Sequence, residues 1–402
     1  MNTVIDTVDL GGIGFGEGAH LLLRRALTRA RPGGRVAVTG THPALAADLM
    51  AWCRARGHPV EAGTARPGDP IRTLVTRGTS ESYRWAGAER AGGAEPGQRV
   101  SAPSARWGLA ARGALVERGG PPVTYQLIRE EQVWADLAPR LYAQAAAAQW
   151  DPAAAVPWQA EFEVPDEIEV AVIQVMTFLI ENEQAALVLP ARFLTRIHPH
   201  FREVVQLLAV QAADEARHIE VFSRRAALSG RPLGTSSVGG RQSLFTLLSE
   251  PDFSLASFLL SVLGEGSFLS LLAFLDRHAP DPITRVVARL AHQDEARHVA
   301  FGVAHLEHQA KTDTSLLPRL RSAVERRHEA LTGTSGLNED VFDALVLLAA
   351  GSWDPAAIAS GFAAVRELEE DMYSGRVRRL IRIGFPSDEA AEISALHTQN
   401  FM

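Results

Sequence analysis

Cysteine occurs once in this chain, at Cys53, which excludes an intrachain disulfide framework, a thiolate zinc site and an iron–sulfur cluster. Lysine is as scarce: Lys311 stands alone among 40 basic residues, so nearly all positive charge is arginine. With a formal net charge of −7 there is no basic surplus, and no nucleic-acid or anionic-membrane partner is predicted. Apolar runs are short of a bilayer's width without interruption. The two most apolar stretches, 170–180 and 253–275, carry polar residues and are read as core helices, so no membrane partner is expected. The first residues, Met1 to Asp6, lack both a basic region and an apolar region of the secretory kind, which predicts a cytoplasmic protein. Tyrosine is rare too (Tyr83, Tyr125, Tyr142 and Tyr373), and none falls in the four bundle helices named below.

What remains is an ordinary globular composition, 46% hydrophobic and 22% charged, over 402 residues. Residues 1–79 read as a small α/β domain of β-α-β-α-β-β order. Alternating segments at 4–10, 34–39, 59–62 and 71–76 are interleaved with helical patterns at 19–29 and 43–56. Residues 80–124 are rich in Gly, Ala and Arg without a sustained apolar period, and read as a linker. From 125 to 402 the pattern is helical. An entry helix over 130–148 precedes four bundle helices near 165–198, 202–229, 253–275 and 283–311, and further helices over 317–331, 339–350, 355–374 and 388–396 form a C-terminal cap. The fold class is mainly α with a small N-terminal α/β domain.

Within that helical text the pentapeptide Asp-Glu-Ala-Arg-His occurs twice, at Asp214–His218 and Asp294–His298. Each copy places a Glu and a His three residues apart, Glu215 with His218 and Glu295 with His298. On an α-helix that spacing stacks the two side chains about 60° apart on one face, where both can reach one metal ion. Two such pairs on separate helices are half of a two-metal carboxylate site in a four-helix bundle. The other half is one further Glu from each of two more helices. About thirty residues before each pair an acidic residue sits in apolar sequence. Glu265 has no acidic rival between Asp252 and Asp276. In the first half Glu183 shares a face with Met176, Leu179, Ile180 and Leu187 and is preferred, with Glu181 on a more polar face held in reserve. A Glu in such surroundings is costly to bury unless it is paired or bound to metal. The two halves look like a diverged repeat of about eighty residues. A lone Glu-x-x-His is usually only a helix-surface pair; the recurrence, with a Glu upstream of each copy, argues for a site.

Asp214 and Asp294, each just before a ligand Glu, suit a supporting role in which a carboxylate accepts the free ring N–H of a ligand His. Arg217 and Arg297 can pair with those Asp residues, or lie at the surface. His292, three residues before Glu295, is either a seventh metal ligand or a polar helix residue; Ala212 stands at the matching place in the first half. Four carboxylates and two imidazoles favour two iron ions, with manganese or a mixed Mn/Fe pair as alternatives, and with dioxygen as co-substrate.

The constellation Glu183, Glu215, His218, Glu265, Glu295 and His298 resembles that of the ferritin-like di-iron carboxylate superfamily, over roughly residues 165–311. The Asp-Glu-x-Arg-His form is similar to that of bacterial multicomponent monooxygenases and related oxidases. The N-terminal segment resembles the TusA-like sulfur-carrier family through Asp9–Gly12, Leu23–Leu27 and Ala51–His58. Phe15 and Gly16 stand where that family has its carrier Cys-Pro, so the resemblance implies a carrier fold without its thiol, used for docking or dimerisation. Cys53 falls in the second helix and reads as packed.

The superfamily resemblance implies an oxygen-activating di-iron oxidoreductase that hydroxylates a small organic substrate or N-oxygenates an amine, with electrons from an external donor. Gly11–Gly16 is glycine-rich but does not make a dinucleotide fingerprint. The alternatives are a ferroxidase or peroxide-consuming iron protein without organic substrate, and an interaction scaffold. Expected partners are the small-molecule substrate, the electron donor, and a second copy or docking partner through the N-terminal domain.

Overall fold

In the computed structural model, residues 4–61, 70–80, 84–93, 95, 97–332 and 339–396 are described. The chain divides into two compact units, one of residues 1–94 and 113–122, the other of residues 95–112 and 123–402.

The first unit opens with β1 (Val4–Asp9), α1 (Ala19–Arg29), β2 (Arg35–Gly40), α2 (Leu45–Ala55) and β3 (Ile71–Thr76). Its three-stranded sheet runs β1-β2-β3, with β1 parallel and β3 antiparallel to β2. Alternate residues of β2, Val36 and Val38, are fully buried against Leu23 and Leu27 of α1 and Leu45 and Leu49 of α2. The strand expected at 59–62 is a single bridge, Val60 with Val75; Ala62 lies outside the described residues. Cys53 packs in this core, and burial pushes its thiol up to about 12, far from reactive. A two-stranded ladder, β4 (Glu89–Arg90) with β5 (Leu115–Val116), completes the unit.

Residues 95–112 belong instead to the helical unit. Arg112 donates to both Glu203 oxygens, 2.9 and 2.8 Å, and Val100 N–H donates to His200 Nε2 at 3.0 Å. The composition of this stretch hid that engagement, because arginine-to-carboxylate anchoring leaves no apolar period.

The helical unit begins with α3 (Ala138–Ala147), shorter than the entry helix expected over 130–148. Four helices follow as two hairpins. The first hairpin is α4 (Asp166–Leu194) with α5 (Arg202–Ala226). After α6 (Val238–Leu248), which the Gly/Ser-rich sequence there concealed, come α7 (Phe253–His278) and α8 (Pro282–Ala310) as the second hairpin. Asp252 caps α7 by accepting from Ser254 and Leu255 N–H, and Asp281 caps α8 with Pro282 at its first position. The cap consists of α9 (Leu316–Thr332), α10 (Glu339–Ala350), α11 (Pro355–Ile383) and α12 (Ser387–Ala395). Of these, α10 packs on α4, and α11 on α7 and α8.

Two features hold the bundle in register. Arg225 of α5 is fully buried and donates to Glu169 of α4 at 2.8 Å and to Asp281 at 2.8 Å, joining both hairpins. In α7 the eight residues Phe258–Glu265 form a π-helical stretch, which re-aims the side chains that follow it. Gly302 of α8 faces this stretch, where a Cβ would come within 2.6 Å of Ser261 Cβ.

By length and composition α4 and α7 are each sufficient to cross a membrane, contrary to the reading from uninterrupted runs, which stops at each isolated polar residue. Here 72% and 83% of their apolar windows are buried within the protein.

Candidate metal centre

Each of the four bundle helices delivers carboxylate to one interior point. Glu183 comes from α4, Glu215 and His218 from α5, Glu265 from α7, and Glu295 and His298 from α8. All six are at most 4% exposed. Their ligand atoms fall into two groups, within each of which the atoms lie within 4.8 Å of one another. One is Glu183, Glu215, His218 and Glu295; the other is Glu215, Glu265, Glu295 and His298. Glu215 and Glu295 are common to both. Two neighbouring positions therefore share two carboxylates, and each has one carboxylate and one imidazole of its own.

The imidazoles are oriented by their far nitrogens. His218 Nε2 lies 3.2 Å from Asp294 Oδ2, and His298 Nε2 lies 3.1 Å from Asp214 Oδ2. The links cross, since each Asp serves the histidine of the other helix. An aspartate acceptor holds the proton on Nε2 and leaves Nδ1 as the donor atom facing inward. His218 Nδ1 is 3.2 Å from Glu215 and 3.5 Å from both Glu183 and Glu295. Behind this pair stand Arg217, which ion-pairs with Asp214 and with Asp294, and Arg297, which ion-pairs with Asp294 and Asp214. Both guanidiniums are thus bound to the site, not loose at the surface. Gln149 donates to Asp214 at 3.0 Å and Trp150 Nε1 to Asp294 at 2.8 Å.

Electrostatics state the need for cations. Burial, then the charge of Glu215, pushes the Glu183 carboxyl well above its ordinary range; burial and Glu295 do the same to Glu265. Burial opposes charge on both histidines as well, yet Glu183 and Asp294 hold His218 well above its ordinary value, and Glu215 and Glu295 do so for His298. Burial likewise works against Asp294, but the His218 hydrogen bond and charge outweigh it and take its carboxyl to about 2. Protons are shared out among groups that cannot all be ionised together.

Divalent ions fit this donor set. Glu183 Oε1, Glu215 Oε1, Glu265 Oε2, Glu295 Oε2 and His298 Nδ1 are buried without a hydrogen-bond partner, although His298 Nδ1 lies 3.1 Å from Glu215 Oε1. Six carboxylates set against two guanidiniums leave four negative charges, which two divalent ions cancel. Oxygen and imidazole donors of this mix suit iron or manganese.

The remaining sequence candidates separate cleanly. Glu181 is half-buried and outside both groups, so Glu183 is the member brought inward. His292 is half-buried and in neither group: three residues before Glu295 it lies about 60° to the side of Glu295 opposite His298, so the rotation that turns His298 inward turns His292 away. His198 and His200, which have no Glu-x-x-His partner in the sequence and are not candidates, are buried beside Tyr125 and Trp107 and belong to neither donor group. Sequence reasoning missed Gln149 and Trp150, which sit in a turn and carry no periodic signal. It also missed Gln211 and Ser261, both hydrogen-bonded to Glu265. Gln211 was discoverable: it lies one turn before Glu215 on the same face, where the second half has Ala291.

No family model and no curated protein matches this chain. Among solved structures it is similar to an R2-like ligand-binding oxidase with aerobically reconstituted metal cofactor after photoconversion. That match has 16% identity and a TM-score of 0.41, and covers 65% of this chain and 91% of the other. A second structure of an R2-like ligand-binding oxidase, with aerobically reconstituted Mn/Fe cofactor (long soak), aligns at 16% identity and a TM-score of 0.37, covering 67% and 91%. Likeness at this level adds nothing to what the donor geometry itself supports.

Proposed function

We propose that this chain is a dinuclear metal oxidoreductase of the ferritin-like carboxylate kind. Two iron ions, or a manganese–iron pair, would be held by Glu183, Glu215, His218, Glu265, Glu295 and His298. The observation that carries the reading is the convergence of six buried donors from four helices, with orphaned carboxylate oxygens and both imidazoles tied back to aspartates. When bound, the metals would supply reduction of dioxygen. The protein's part is to bring the donors together, exclude bulk water and keep Nε2 protons on the aspartate side of each imidazole.

The reaction proposed is hydroxylation or amine N-oxygenation of a small organic substrate, with electrons from an external reductase. A narrow apolar crevice of about 10 Å³, room for no more than about one water, is lined by Leu189, Phe193, Leu208, Leu260 and Phe301 and also touches Gln211 and Ser261, the partners of Glu265. A small apolar molecule approaching from the α7 side would have to part these side chains to reach Glu265. The N-terminal unit, read as a TusA-like fold without a carrier thiol, is proposed to dock a partner or a second copy.

The test is to load the protein anaerobically with Fe(II), add oxygen in pulses, and follow iron content and the optical spectrum with and without candidate amines and phenols. Two irons per chain and an oxygen-dependent band discharged by substrate support the oxygenase. Growth of ferric iron in proportion to each pulse supports a ferroxidase instead. Iron content unchanged by Glu183→Ala and Glu265→Ala removes the metal centre altogether.

A further inference from the structure

The two metal positions are built from matching donors but supported differently. Gln211 of α5 donates its side-chain amide to Glu265 Oε1 at 3.1 Å, and the Ser261 hydroxyl also hydrogen-bonds Glu265. Both supports are buried, 2% and 4% exposed, and they come from different helices. Superposing the halves by their Glu-x-x-His pairs puts Ala291 where Gln211 stands; superposing them by their lone glutamates puts Leu179 where Ser261 stands. Glu183 therefore lacks both of these supports: one oxygen of each lone glutamate, Glu183 Oε1 and Glu265 Oε2, is buried without a partner, and the other oxygen of Glu183 meets the ligand His218, 3.5 Å away. Along its own face of α4 the neighbours Met176, Leu179, Ile180 and Ala186 are apolar and buried, so no supporting residue comes from that helix.

Ser261 lies within the π-helical stretch Phe258–Glu265, and Gly302 leaves the space for it against α8. The first hairpin has no such device: α4 is regular α-helix through Glu183. A carboxylate pinned by an amide and a hydroxyl keeps one orientation and loses little freedom on meeting a cation. One whose polar neighbours are themselves metal ligands must be ordered by the cation itself.

Resting on the metal-centre reading above, we infer that the two positions are inequivalent. Gln211 and Ser261 are positioning residues that make the Glu265–His298 position the tighter one, filled first, while the Glu183–His218 position is weaker and its carboxylate freer to move. The asymmetry lies in the supporting residues and not in the ligands, so the repeated ligand motif conceals it.

Anaerobic Co(II) titration of the metal-free full chain, followed by optical absorption and calorimetry, tests this directly. The expected result is two steps of unequal affinity. Glu183→Ala should remove the weaker step and Glu265→Ala the tighter one. Gln211→Leu and Ser261→Ala should each weaken the tighter step, Gln211→Leu by about 10- to 100-fold, and leave the weaker step in place. Two variants on separate helices guard against one that merely misfolds, since general loosening weakens both steps together. Two ions bound with equal affinity in the unaltered protein, or equal weakening of both steps by Gln211→Leu and Ser261→Ala, overturns the inference and leaves the dinuclear site standing. If no Co(II) binds at all, the metal-centre reading fails and takes this inference with it.

Discussion

Asp294 of α8 accepts from His218 of α5, Nε2 to Oδ2 at 3.2 Å, so a residue in the second copy of the repeated pentapeptide orients the imidazole of the first. The reciprocal link from His298 to Asp214 closes the exchange. The repeat works as a pair, because neither copy supplies its own acceptor. Asp294→Asn should therefore lower metal affinity at the His218 position, and Asp214→Asn at the His298 position, each by about 10- to 100-fold. Metal titration of both variants checks the crossing. Loss at the position on the same helix contradicts it.

Glu183 and Glu181 are two residues apart but differently placed. Glu183→Gln is expected to cost one bound ion per chain by metal analysis. Glu181→Gln, at a half-buried position outside both donor groups, should leave two.

The pH dependence of stability should reverse on metal loading. In the metal-free protein Glu183, Glu265, His218 and His298 all have raised values, so between their ordinary and raised values the folded state holds more protons than the unfolded. Whatever stability the histidines contribute is present below their ordinary 6.5 and lost as pH rises through their raised values. Glu183 and Glu265 become a cost as pH rises above 4.5. Asp294, depressed from 3.8 to about 2, works the other way and contributes above 3.8, its share vanishing as pH falls towards 2. Metal-free protein should thus lose melting temperature as pH rises above about 5. Metal-loaded protein should gain over the same range, because ligation releases those protons. Thermal scans of both forms from pH 5 to about 8 decide it.

Arg225 is fully buried between Glu169 and Asp281. Arg225→Met strands two buried carboxylates and should destabilise by about 3–5 kcal/mol in urea denaturation. Replacing Glu169 and Asp281 with apolar residues in the same chain should restore much of that loss.

Gly302→Ala places a Cβ 2.6 Å from Ser261 Cβ, between two packed helices where neither side is a flexible tip. The expected cost is about 1–3 kcal/mol, measured by denaturation. Metal binding at the Glu265 position should weaken too, since Ser261 must shift.

Much of the helical unit was legible because its helices are long and one-sided. The expected fourth bundle helix, 283–311, agrees closely with Pro282–Ala310, and the ends of α10 match the expectation residue for residue. Helix α6 was not legible: Val238-Gly-Gly-Arg reads as loop, and Ser237 caps it only because Gly240 N–H is within reach of the serine side chain at 2.9 Å. The expected end of α11, at 374, falls nine residues short of the observed one at Ile383. In the fold Gly375 lies close against Arg379, and Arg376 donates to Ser267 and Ser394, so the helix continues to Ile383. At the centre, the spacing of Glu215 with His218 and Glu295 with His298 needed only the pitch of a helix to be read.

By itself the sequence determined which side chains can share a helical face: two Glu-x-x-His pairs and a carboxylate in each of two apolar helices, the chemistry of a hard-metal site. Tertiary structure alone decided between Glu183 and Glu181, left His292 outside, crossed the aspartate–histidine links and gave Glu265 supports that Glu183 lacks. The reason is physical. Helical pitch is local and readable from spacing, whereas a buried polar atom's partner is set by which helices pack together and at what rotation, and that emerges only when the core closes.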